Sequence, residues 1–135
     1  MNNNLKIYSA FYLGSLLERK KTDPVAILEY FLSMEDMAFF GGHLLDNPEQ
    51  VLDTKASPIT SSNLSGLAPA FTITAGFDPL CDEGKAYHEK LSDAGVKSEY
   101  ECVEGTIHGF TLFPVALESA IPALELIGKK LKDNL

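Results

Sequence analysis

The chain predicts an α/β architecture of about three parallel strands with flanking helices, on two observations. Three short apolar runs, Leu5 to Ala10, Ala70 to Ala75 and Ser98 to Val103, alternate with stretches of helical periodicity, the pattern of strands joined by helical crossovers. The composition, 45% hydrophobic over 135 residues, is that of one globular domain with a core to bury.

The first run reads as a buried strand entering a loop. Its longer frame, Ile7 to Leu17, imitates a secretory leader, but Glu18-Arg19-Lys20-Lys21 follows where a small-residue cleavage site belongs. Eleven apolar residues are also too few to cross a bilayer as a helix, so no membrane span is expected. Next, Ser33-Met34-Glu35-Asp36 has capping-box spacing and predicts a helix start. Met37, Phe40, Gly41 and Leu44 repeat at three and four residues, which predicts one stripe to bury. Asp46-Asn47-Pro48 should stop the helix, because proline disfavours a helical residue before it. Leu52 to Ala68, rich in Ser, Pro and Gly, reads as a loop back to the sheet.

Ala70 to Ala75 carries β-branched and aromatic residues on both faces and ends at Gly76, as a strand covered on both sides does. After Pro79, the positions Leu80, Gly84, Tyr87, Leu91 and Ala94 form the stripe of a second helix, with Asp82 and Glu83 in its first turn where the macrodipole favours acids. Gly95 ends it. Ser98 to Val103 alternates more and is placed nearer an edge. The last helix is expected to start at Ser119 after a turn around Pro114 to Glu118, so that Pro122 falls in its first turn, with Leu117, Ala120, Ile121, Leu124, Ile127 and Leu131 as its stripe.

Charge removes one class of function. A net charge of -8, with a basic cluster as short as Arg19-Lys20-Lys21, argues against nucleic acid, since phosphate contacts need grouped cations. Cys81 and Cys102 lack C-x-x-C spacing and accompanying histidines, so no metal is expected; both read as free thiols of a reducing, cytoplasmic compartment, with a single disulfide as the alternative.

Two positions carry chemistry. Asp78 follows a buried strand through Gly76, and thirty positions later His108 follows the next strand through Gly105. A hydroxyl is a weak nucleophile until an imidazole takes its proton, and the imidazole needs a carboxylate to hold its tautomer and stabilise its cation. Singly, an aspartate before proline is a turn former and a lone histidine is structural or exposed. As an ordered pair at strand ends, they read as the acid and base of a hydrolase. His88, beside Tyr87 and Glu89, reads as a solvated residue, and His43 as a C-terminal cap. Glu99, Glu101 and Glu104 read as a solvent face, and the Met34, Met37, Phe39 and Phe40 group as core before acyl pocket.

Ser57-Pro58-Ile59, then Leu64-Ser65-Gly66-Leu67-Ala68-Pro69-Ala70, then Ala75-Gly76-Phe77-Asp78-Pro79-Leu80, then Tyr100 to Phe110 with His108-Gly109-Phe110, together resemble the C-terminal part of the hormone-sensitive-lipase-like esterases of the α/β-hydrolase fold. The resemblance extends weakly to Ile7-Tyr8 and to the helix reaching Leu45. It implies that residues 1–135 form the C-terminal section of such a domain, with 23–56 a helical insertion near the substrate side and 69–135 the strands and helices bearing acid and histidine. It implies hydrolysis of a small carboxylic ester through an acyl-enzyme, with Asp78 as the triad acid, His108 as the base and no cofactor. The G-x-S-x-G turn of the nucleophile and the H-G-G-G oxyanion segment are absent from these residues, and Gly41-Gly42-His43 is no substitute. Cys81 stands where members carry arginine. The chain by itself is therefore expected to be inactive. Its alternatives are a non-catalytic binding module and one half of a split hydrolase, associating with itself or with an N-terminal half through the edge of the Leu5 to Ala10 strand.

Overall fold

The structure, a computed structural model, describes residues 31–134. The run Leu5 to Ala10 and the basic cluster at 19–21 lie outside the described residues.

Helix α1 spans Met34–Leu44 and starts as its capping box predicts. The Asp36 amide donates to Ser33 Oγ at 3.1 Å, and the Ser33 amide donates back to Asp36 Oδ2 at 2.9 Å. Burial departs from the expected stripe. Met37 is buried, but Phe40 is 55% and Leu44 67% exposed. The reason lies in what α1 meets: its cluster consists of Leu32, Met37 and the partly buried Leu80, enough to cover a single turn. A short 3-10 turn at Pro48–Leu52 leads into the expected loop, and a second at Pro58–Thr60 lies within it.

Strand β1, Ala70–Ala75, helix α2, Cys81–Asp93, and strand β2, Ser98–Val103, form a β-α-β unit with the two strands parallel. The register pairs Ala70 with Ser98 and Ala75 with Val103, so the strands end flush. Alternation along the pleat assigns the faces. Ala70 joins Tyr87, Leu91, Val96 and Leu64 in one core under α2. Ala75 joins Phe110, Ala120 and Ala123 in a second core on the other face, under α3, Ala120–Asn134. Only the ends of β1 are fully buried, while Phe71 to Thr74 are half-buried.

Glycine permits two close fits here. A Cβ on Gly84 would lie 2.6 Å from Thr74 Cγ2, so α2 rests on the sheet through a position without a side chain. Gly95, at φ 77°, follows α2 in the left-handed region. Its amide donates to the Ser92 carbonyl at 2.9 Å, and the Val96 amide donates to that of Leu91 at 3.0 Å, which is a Schellman ending.

Three sequence expectations are corrected on these faces. His88 is half-buried rather than solvated: its Nδ1 lies 2.8 Å from Ser98 Oγ and its ring stacks on Tyr100 at 5.6 Å, binding α2 to β2. Glu99 leaves the expected solvent face to pair with Lys130 of α3, whose ammonium also lies 5.6 Å from the Phe71 ring centroid. On α3, Ala120 and Ala123 are the buried positions, while Ile121 and Leu124 are 51% and 43% exposed. Small residues face β1 because they let the helix approach closely, and the longer ones fall on its flank. Pro122 sits in the first turn, where its missing amide breaks no helical bond.

Candidate active site

Asp78 and His108 meet just past the C-terminal ends of the paired strands. Two residues, Gly76 and Phe77, separate Ala75 from Asp78, and the turn closes with the Asp78 amide donating to the Ala75 carbonyl at 3.2 Å. The carboxylate is divided between two tasks. Oδ1 accepts from the Leu80 amide at 2.9 Å and so shapes the entry to α2, while Oδ2 lies 2.7 Å from His108 Nδ1. Asp78 is thus a helix-entry residue and a histidine partner at once.

The histidine loop is fixed at both ends. Gly105, at φ 74°, turns the chain out of β2, and Gly109, at φ 67°, turns it into the 3-10 turn Phe110–Leu112. Phe110 is buried against Ala75, Ala120 and Ala123, which anchors the far end in the core. Between them Thr106 is buried, and its hydroxyl donates to the Val103 carbonyl at 2.6 Å. Two backbone bonds then join the acid turn to this loop: Gly76 N–H to the Val103 carbonyl at 3.1 Å, and Phe77 N–H to the Thr106 carbonyl at 2.8 Å. The pair is held by the frame as well as by its own hydrogen bond.

The electrostatics suit a base. The Asp78 side chain is 10% exposed and that of His108 33%, so the carboxylate is sheltered while the ring reaches solvent. The hydrogen bond that His108 donates to Asp78 holds the imidazole above its ordinary value of 6.5, against a smaller opposing effect of burial. A proton on Nδ1 directed at the carboxylate leaves Nε2 as the acceptor nitrogen. Nε2 makes no hydrogen bond among the described residues.

Of the other histidines, His43 closes the last turn of α1 through Nδ1 at 2.8 Å from the Phe39 carbonyl, as expected of a cap, and His88 belongs to the α2 packing. Gly41, Gly42 and His43 lie within α1. Among the described residues no cluster of His, Cys, Asp and Glu could hold a metal, and no helix is long and apolar enough to cross a membrane. Sequence reasoning missed two features. One is Thr106, whose signal was a hydroxyl residue directly after a turn glycine. The other is the adjacency of Cys81 and Cys102, with sulfurs 3.7 Å apart, which follows once Cys102 is placed on the same pleat face as Ser98 and Tyr100.

Comparison with known proteins gives a consistent result. A family model described as alpha/beta hydrolase fold matches residues 5–112. The carboxylic ester hydrolase LipN of Mycobacterium tuberculosis is 38% identical over 100 residues, covering 73% of this chain and 27% of LipN. The ethyl acetate hydrolase of Pseudomonas putida is 31% identical over 106 residues, covering 78% of this chain and 33% of the enzyme. The solved esterase of Pyrobaculum calidifontis superposes with a TM-score of 0.79 at 35% identity, over 96% of this chain and 42% of its own. The chain thus spans about a third of the length of the curated relatives it matches. With the family model matching residues 5–112 and the solved esterase superposing over most of the chain, the chain belongs to the family of the alpha/beta hydrolase fold.

Proposed function

We propose that this chain carries the acid and base of a serine-type carboxylic ester hydrolase of the hormone-sensitive-lipase-like group, acting on a small ester. The observation that carries the reading is the Asp78 Oδ2 to His108 Nδ1 bond of 2.7 Å at the ends of adjacent parallel strands, in a chain related to ester hydrolases. In this reading His108 Nε2 takes the proton of an attacking hydroxyl, then returns it to the leaving alkoxide, and repeats the cycle with water to release the acid. Asp78 fixes the ring and stabilises its cation. The hydroxyl and the oxyanion amides come from polypeptide outside these 135 residues, because no G-x-S-x-G or H-G-G-G occurs within them.

The segment 23–56 is assigned to the substrate side, on the support that Leu32 and Met37 pack against Leu80, two residues past Asp78. Phe31 meets Phe113 edge-on at 5.3 Å and its ring lies against Gly109, supplying apolar surface next to the histidine for an acyl or alkyl group.

The test is reconstitution. The chain is mixed with a polypeptide from a related esterase that ends before the matched region and carries H-G-G-G and G-x-S-x-G, and p-nitrophenyl acetate hydrolysis is followed. The chain alone should turn over no faster than its Asp78→Asn, His108→Ala double variant, and the mixture should show turnover that His108→Ala abolishes. Turnover indifferent to His108→Ala would sink the reading.

A further inference from the structure

Cys81 and Cys102 are not used by the chemistry above, yet with Thr74 and Tyr100 they form a connected group of thiols and hydroxyls outside it. Cys81 opens α2 and Cys102 lies next to last in β2, on the face that α2 covers. Their sulfurs are 3.7 Å apart. Thr74 Oγ1 lies 3.5 Å and Tyr100 Oη 3.8 Å from Cys81 Sγ, and these two oxygens are 2.9 Å from each other. Both cysteines are half-buried, and their sulfurs touch each other where α2 meets β2. Two thiols packed only to fill a core would be expected among apolar groups and out of contact with solvent.

We propose that Cys81 and Cys102 are a redox-active dithiol that hydrogen peroxide oxidises to an intramolecular disulfide. One sulfur, as thiolate, attacks a peroxide oxygen and becomes a sulfenic acid as the O–O bond breaks and hydroxide leaves, which takes up the proton released by that thiol and becomes water. The second sulfur then displaces hydroxide from the sulfenic sulfur, forming the S–S bond and releasing a second water. Two S–H bonds are lost, two electrons pass to the peroxide, and one peroxide yields two waters. Closing the gap from 3.7 Å to about 2.05 Å needs side-chain rotation and a small approach of the start of α2 toward β2. The Thr74 and Tyr100 hydroxyls are placed to hold Cys81 Sγ beside its partner.

Order within the pair follows from position. Cys81 is the first residue of α2, while Cys102 lies within β2 beneath the helix and burial pushes its thiol up, so Cys81 meets the peroxide and Cys102 resolves the sulfenic acid. The linkage would tie α2 to β2 three residues from Asp78, next to the acid turn.

The chain is treated with hydrogen peroxide in native buffer and in urea, and intact mass and peptide maps are recorded. The expected result is loss of two hydrogen masses with peptides bearing Cys81 and Cys102 joined, several-fold faster in native buffer than in urea. Dimedone should label Cys81 in the Cys102→Ser variant and leave the wild type nearly unlabelled, because the resolving thiol outruns the probe. Equal rates in the two buffers, chain-to-chain disulfides as the main product, or equal dimedone labelling of wild type and Cys102→Ser would each overturn the proposal.

Discussion

Replacing Gly76 by alanine tests whether the contact between the acid turn and the histidine loop sets the geometry of the pair. An added Cβ would lie 2.9 Å from Glu104 Oε2, 3.1 Å from Glu104 Cα and 3.2 Å from the Gly105 amide nitrogen. The carboxylate can swing away. The two backbone atoms cannot, and relaxing them to ordinary contact of about 3.5 Å requires the turns to separate by roughly 0.3–0.4 Å. That movement stretches the Gly76 to Val103 and Phe77 to Thr106 hydrogen bonds, now 3.1 and 2.8 Å. Overpacking of this kind costs about 1–3 kcal/mol, and the stiffer unfolded chain adds back about 0.4–1 kcal/mol where φ allows. The net loss of about 1–2 kcal/mol corresponds to a fall in Tm of roughly 3–8 °C for a chain of this size. The Asp78–His108 bond should lengthen with the turns, so the His108 titration should move down toward its ordinary 6.5. Thermal unfolding by circular dichroism and a histidine NMR titration read the two effects. An unchanged Tm together with an unchanged His108 midpoint would refute the argument that this close approach fixes the site.

Asp78→Asn should lower the His108 midpoint, since the carboxylate hydrogen bond is the main cause of its elevation. A raised folded pKa stabilises most below the unfolded value, so the stability margin of wild type over Asp78→Asn should be full between about pH 5 and 6.5 and shrink as pH rises through the folded midpoint; a margin that grew with pH would contradict the pairing. Gly42→Ala and Gly128→Ala, in helices with open space around the added methyl, should each raise stability by about 0.5–1 kcal/mol in denaturant unfolding, opposite in sign to Gly76→Ala. Ser33→Ala removes a capping bond worth about 1 kcal/mol. Because α1 buries little, hydrogen exchange should speed up there while Tm scarcely moves.

What the sequence made legible was local. The Ser33–Asp36 box, the left-handed Gly95 and the placement of Pro122 are decided within a few residues, and their physics is the same in any fold. Asp78 and His108 were legible because each directly follows its own strand, so once the two strands are neighbours the pair must meet. Burial was less legible. Phe40 and Ile121 fit a helical stripe by spacing, but spacing cannot say whether anything packs on that part of the stripe. His88 with Tyr100, Glu99 with Lys130 and Cys81 with Cys102 depend on the register of β1 against β2 and on which helix covers which face, and neither is written in the periodicity of a single segment.

The flush ends of β1 and β2, with Ala75 beside Val103, also set a rule for insertions and deletions. One residue added within 76–78 or 104–108 would shift its side chain by up to about 3.3 Å along the strand direction, several times the roughly 0.5 Å within which a catalytic group must stay. The turn at 94–97, at the opposite end of the unit, bears on neither side chain and should accept extra residues. Among relatives, chain length should therefore vary at the Gly95 end of this unit and stay constant at the end that holds Asp78 and His108.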